Sequence, residues 1–175
     1  VVTTGGAVLY VTLRRLKDKL VVGVYERGRP QQLQYQYDFI GDTPAGYIDL
    51  RRETDHVVRY RAYPRSEGRY QESFSSRVAK AGGWTGTEPP DRIGWLLPPK
   101  DGSDTFLTIN AHSLVKATTE QNRALLKDRI VLIGGDLYTL DRHWTPLSIR
   151  DGKQTVGVEV HAQMVAELLD GDRSY

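Results

Sequence analysis

Leu125-Leu126-Lys127-Asp128-Arg129-Ile130-Val131-Leu132-Ile133-Gly134-Gly135-Asp136 is the stretch on which the reading of the fold turns. Four apolar residues, Ile130 with Val131, Leu132 and Ile133, follow a charged triplet and run into two glycines. An unbroken run of this kind, rich in β-branched side chains, is the pattern of a parallel strand covered on both faces in an α/β domain. The end of an amphipathic helix (Ala124, Leu125, Leu126) precedes it. A polar loop through Trp144 follows and leads to a final helix opened by Gly157-Val158-Glu159-Val160-His161. Ligands bind at loops leaving the carboxyl ends of parallel strands, so residues 134–161 are the expected site.

Upstream, the spacing predicts a helix over residues 7–17 and a strand over residues 20–25, an α/β alternation. Residues 28–44 are polar and rich in Gln and Tyr. They read as a surface connection, with Tyr35, Tyr37 and Phe39 as a short edge strand at most. Residues 47–50 and 57–63 predict an antiparallel hairpin around a charged turn, with Val58, Tyr60 and Ala62 on one face and Arg59 and Arg61 on the wet one. Ser73 as N-cap and Gly82-Gly83 as a stop predict a helix over residues 74–80. Ile93-Gly94-Trp95-Leu96-Leu97, bracketed by proline pairs, is a strand or an apolar loop over the core. Phe106-Leu107-Thr108-Ile109 is a candidate strand. Asn110 caps a helix to Lys116, and Thr118 with Gln121 forms a capping box for a helix to Leu126. The architecture expected is a single α/β domain over residues 1–175. Its central mixed sheet has parallel strands around Val22 and Val131 and an antiparallel hairpin near Val57, with helices on both faces.

The chain has 175 residues, enough for one hydrophobic core. Its 24 basic and 22 acidic residues nearly cancel and are interspersed, so there is no basic stripe of the kind a nucleic-acid face needs. Cysteine is absent, which removes disulfides, thiolate metal sites and cysteine nucleophiles. No apolar run approaches the roughly 20 residues that cross a bilayer.

The ordered set of Leu126-Lys127-Asp128-Arg129-Ile130-Val131-Leu132-Ile133-Gly134, Asp141, Thr145-Pro146-Leu147-Ser148, and Val156-Gly157-Val158-Glu159-Val160-His161-Ala162 with Leu168-Leu169 resembles the CHASE domain of the second type. A weaker likeness lies at Gly46-Tyr47-Ile48 and at Glu53, Asp55, Val57, Val58 and Arg59. Where the family places Gly in that acidic turn, this chain has His56. The family's opening strand and membrane-spanning helix are not visible before Val1, so the chain reads as a fragment. The resemblance implies a periplasmic or extracytoplasmic ligand-sensing domain of a bacterial receptor, not itself an enzyme and without a cofactor. It would signal through its C-terminal helix to a membrane span and a cytoplasmic cyclase, kinase or similar output domain. The implied partner is a small-molecule or peptide ligand, with membrane anchoring through spans outside the fragment; a homodimer is compatible with it.

The candidate ligand-binding residues are Gly134, Gly135, Asp136, Asp141, Trp144, Thr145, Glu159 and His161. His161 shares a helix face with Val158, Ala162, Val165 and Leu168, so a buried, hydrogen-bonded histidine competes with a ligand contact. Asp141 reads mainly as a brace for its own loop, with Thr145-Pro146 closing that loop in a rigid turn. Trp144 either plugs the end of the domain or lines a pocket. The alternative from another class is a metal-dependent hydrolase using Asp141, His143, Glu159 and His161, although no metal motif selects these positions. Gly134-Gly135 lacks the dinucleotide fingerprint, and no nucleophile elbow is present.

Overall fold

The computed structural model describes residues 15–16, 19–26, 30–89, 92–137 and 141–170. The helix expected over residues 7–17 lies, but for Arg15 and Leu16, outside the described residues.

A small βαβ unit opens the described chain. Strand β1 (Val22–Val24) pairs in parallel with β2 (Ala45–Tyr47), and helix α1 (Pro30–Ile40) crosses between them. Successive strand residues face opposite ways. Val22, Val24 and Ala45 therefore meet Ile40 on one face, while on the other a Cβ on Gly46 would strike the backbone of Ser73 and Phe74 and one on Gly23 would strike Ile48 beside the Phe74 ring. The helix replaces the surface connection and edge strand expected for residues 28–44. The Tyr35, Tyr37, Phe39 alternation imitates a strand, but the pairs that matter lie four apart. Gln34 donates to Asp38 at 2.8 Å, and the rings of Tyr35 and Phe39 stack with centroids 6.1 Å apart.

From β2 the chain runs into the antiparallel hairpin of β3 (Leu50–Arg52) and β4 (Val58–Arg61). Its turn holds His56 at φ 64°, with the His56 amide donating to Glu53 O at 2.9 Å and the Glu53 amide to Val57 O at 3.2 Å. This is a type I turn closed by a left-handed residue, a common hairpin connection. The expected division of faces fails at Arg61, which is buried rather than wet, because β4 ends under the loop that carries Glu88 and against the last helix.

Helix α2 (Phe74–Ala81) forms as the sequence predicts: the Ser73 side chain accepts from the Ser76 amide and Gly82 ends it. It packs against the last helix, α6 (Gly157–Asp170). Val160 and Met164 of α6 join Val58 and Ile93 in a core flanked by Leu50 and Trp95. The apolar loop through Ile93 covers that core and is clamped there by Gln163. This fully buried amide accepts from Leu96 N at 2.9 Å and donates to Leu96 O at 3.4 Å. Between these parts come α3 (Ala111–Lys116), α4 (Thr119–Leu126), β5 (Arg142–His143), α5 (Pro146–Asp151) and β6 (Thr155–Val156). The expected Asn110 cap and the Thr118–Gln121 capping box are both present.

The class is α/β, with parallel and antiparallel pairing and helices on both faces of β1–β2. Among the described residues the strands form three two-stranded pairs. Two expected strands are absent. Residues 130–133 carry no strand and are not covered: Ile130, Val131 and Ile133 are 44%, 46% and 90% exposed. β1 takes β2 as its parallel partner, so the apolar run lies along the surface without a strand beside it. Apolar periodicity reports what would gain from burial, not whether a neighbour is there to provide it. Residues 106–109 are likewise irregular, with Leu107 62% exposed.

Candidate functional site

The polar loop and the start of α6 do meet, and most of the candidate residues are already held by neighbours within the fold. Gly134 lies against α6, where an added Cβ would come within 2.5 Å of Val158 Cβ; Gly135 is open. Asp136 is taken by Arg142 through two hydrogen bonds of 2.9 and 2.7 Å, the paired geometry that Arg and carboxylate favour. Asp141 sits on the first residue of α6: its backbone O accepts from Gly157 N at 3.0 Å, and only a glycine leaves room for its carboxylate, since a Cβ there would be 2.1 Å from Oδ1. Asp141 Oδ1 is also 3.4 Å from His143 Nε2, whose Nδ1 lies 3.1 Å from Arg52 Nη2. Burial first, and then the Arg52 charge, lower the His143 pKa against the pull of Asp141.

Trp144 leaves its ring half exposed while its backbone O accepts from Val58 N at 2.8 Å, pinning the loop to the hairpin. Thr145 is fully buried as the N-cap of α5, in a capping box with Ser148 and 3.0 Å from Thr155 Oγ1. Glu159 points outward, its carboxyl raised by desolvation and by the charges of Asp104 and Asp151.

His161 is buried. Its Nδ1 is 3.1 Å from Ser75 Oγ on α2, and its ring meets Phe74 edge-on at 5.4 Å. Burial lowers its pKa to about 4, with the Ile48 backbone opposing and His143 assisting, so the imidazole is neutral at pH 7. It locks α6 to α2 and the end of β2. Asp141 and His143 touch, but His161 is committed to Ser75 and Glu159 faces other carboxylates. Among the described residues no group of three or more His, Asp or Glu is placed to hold a metal ion. The hydrolase alternative has no assembled ligand set.

A concavity lies elsewhere, away from residues 134–161. A groove of about 620 Å³ runs between the end of β4, the start of α2 and residues 86–89, with Tyr47 and Arg61 among its lining residues. Arg61, 3% exposed, donates to Glu88 at 3.0 Å and to Glu167 of α6. Glu88 in turn accepts from Ser73 Oγ at 2.8 and 2.7 Å. At the rim Glu72 takes Lys80, Arg77 at 2.6 Å and Ser76 at 2.9 Å. Burial tends to raise the Glu72 carboxyl, but these hydrogen bonds and charges outweigh it and hold it below the usual range. Arg59-Tyr60-Arg61 stands out in the sequence as a local basic excess flanked by acids. Nothing in strand periodicity shows that the second arginine turns inward onto partners 27 and 106 residues away.

The CHASE2 domain family matches residues 8–174, and the chain belongs to that family of extracellular sensory domains. No curated protein and no solved structure matches it. Among the described residues no helix is long and apolar enough to cross a membrane.

Proposed function

We propose that this chain is the extracytoplasmic ligand-sensing domain of a bacterial transmembrane receptor, in which α6 carries the signal toward a membrane span and a cytoplasmic output domain such as a cyclase or kinase. The observation that carries this reading is the buried Arg61, which lines the groove and is ion-paired to Glu167 near the end of α6. A ligand in the groove that draws on Arg61 or Glu88 changes what holds α6. Because a ligand shifts an equilibrium only by its differential affinity for two states, the signal needs no more than two positions of α6 with different Arg61 pairing. The loops at residues 134–161 contribute by fixing the start of the same helix through Gly157 and Val158.

The test is hydrogen exchange over residues 158–169 in the Glu88→Gln variant. Glu88 is not on α6, so exchange that speeds up in α6 when Glu88 loses its charge supports the coupling. An α6 pattern identical to that of the unaltered chain overturns it.

A further inference from the structure

The groove has a charge sign. Four of its lining residues are cationic (Arg61, Arg69, Arg77, Lys80) against two carboxylates, Glu72 and Glu88. Positive charge remains even when Glu167, which holds Arg61 from α6, is counted. Two of these cations are incompletely used. Arg61 is buried, and its Nε has no acceptor among the described residues. A buried guanidinium N–H left without a partner is unfavourable, but this Nε has no accessible surface for a ligand to meet, so Arg61 contributes its charge from beneath the groove. The Arg69 guanidinium has no carboxylate partner among the described residues; it lies 4.9 Å from the Tyr37 ring and 5.8 Å from the Tyr70 ring and donates to Gly41 O at 3.5 Å, while its backbone amide donates to Glu26.

The other two show what the rim accepts, since Arg77 and Lys80 converge on the carboxylate of Glu72. A volume of about 620 Å³ lies in the range of pockets that take small organic molecules. The planar fork of arginine suits carboxylate and phosphate equally.

We propose that this groove is a binding site for a small organic anion, its carboxylate or phosphate head group held by Arg69, Arg77 and Lys80 at the rim above the buried charge of Arg61. The assignment deepens the sensing role and rests on it for its biological meaning. Its test does not depend on movement of α6.

The experiment is calorimetric titration of the chain with succinate, glycerol 3-phosphate and inorganic phosphate, with glycerol and putrescine as the neutral and cationic counterparts. At least one of the anions is expected to bind saturably and more weakly as salt rises, with succinate against the two phosphates deciding the head group. Arg69→Gln and Lys80→Gln are each expected to weaken binding roughly tenfold, the scale of one charge-assisted hydrogen bond, while melting as the unaltered chain does. Three results overturn the proposal: no anion binds saturably, putrescine or glycerol binds as well as the anions, or anion binding survives intact in the Arg69→Gln/Lys80→Gln double variant. Anion binding that follows these residues while exchange in α6 stays fixed retains the ligand class and removes the signalling route, so the two failures are distinguishable.

Discussion

Ser75 Oγ on α2 and His161 Nδ1 on α6 lie 3.1 Å apart, both buried, in the helix pair that forms the body of the domain. The imidazole stays neutral there because its surroundings cannot solvate a charge. The His161 pKa lies near 4, below its ordinary 6.5, so as pH falls the unfolded chain takes up the proton first. Stability from this group is complete above pH 6.5 and is withdrawn between 6.5 and about 4, on the order of 3 kcal/mol in all. His143, also lowered by burial, acts in the same direction. Thermal melting of the unaltered chain should fall steeply over that window. His161→Gln should start less stable and show a flatter pH dependence; equal slopes would refute the assignment.

Arg61, buried, pairs with the part-buried Glu167. Removing one member of a buried pair leaves the other charge stranded, typically at a cost of about 3–5 kcal/mol. Glu167 keeps some solvent contact and Arg61 retains Glu88, so Glu167→Ala is expected to fall below that range, at about 2 kcal/mol. Urea denaturation measures this directly. Glu120→Ala, on the exposed face of α4, is the control and should change stability by less than about 0.5 kcal/mol.

Local signals carried over from sequence to structure wherever a few neighbouring residues settle the matter. Ser73, Asn110 and Thr118 cap the expected helices, and each does so through its own side chain. The Val22 strand and the second arm of the hairpin are also where the pattern places them, but the first arm is Leu50–Arg52 rather than residues 47–50, because Tyr47 is taken by the parallel pairing with β1. The competition between a core and a ligand role for His161 is settled toward the core by Ser75 and Phe74, residues 86 and 87 positions away, which no local pattern contains. What stayed illegible required knowledge of a distant neighbour. Residues 130–133 have the composition of a covered strand without the cover, and Arg61 has that of a solvent-facing charge although it is buried between two acidic partners. The groove is invisible in sequence for the same reason: Arg61, Arg69 and Lys80 become one surface only when β4 ends beside α2.

The exposed apolar run gives a third prediction. Ile133 is 90% exposed and Val131 46%, with Leu137 56% exposed a few residues on. Contiguous apolar surface of this kind drives association. Ile133→Lys removes no buried contact and should leave the melting temperature nearly unchanged, within the effect of about 0.5 kcal/mol typical of surface sites. In sedimentation velocity the unaltered chain should show a larger concentration-dependent associated fraction than the variant. Identical profiles would mean that the run takes no part in assembly.

His56 supplies the last. At φ 64° it occupies the left-handed region, which costs a residue with a Cβ roughly 1 kcal/mol or more and glycine almost nothing. The turn demands that conformation, since the His56 amide must reach Glu53 O while the Glu53 amide reaches Val57 O. Arg59, bonded to both Glu53 and Asp55, closes the turn from outside and does not involve the His56 side chain. His56→Gly should therefore stabilise the domain by about 0.5 kcal/mol, the relief of strain being partly offset by the greater freedom of glycine in the unfolded chain. His56→Ile, β-branched, should destabilise it by at least about 1 kcal/mol. Denaturant midpoints for the two variants should fall on opposite sides of the unaltered chain; a shift in the same direction would show that the turn relaxes to another backbone conformation when His56 is replaced.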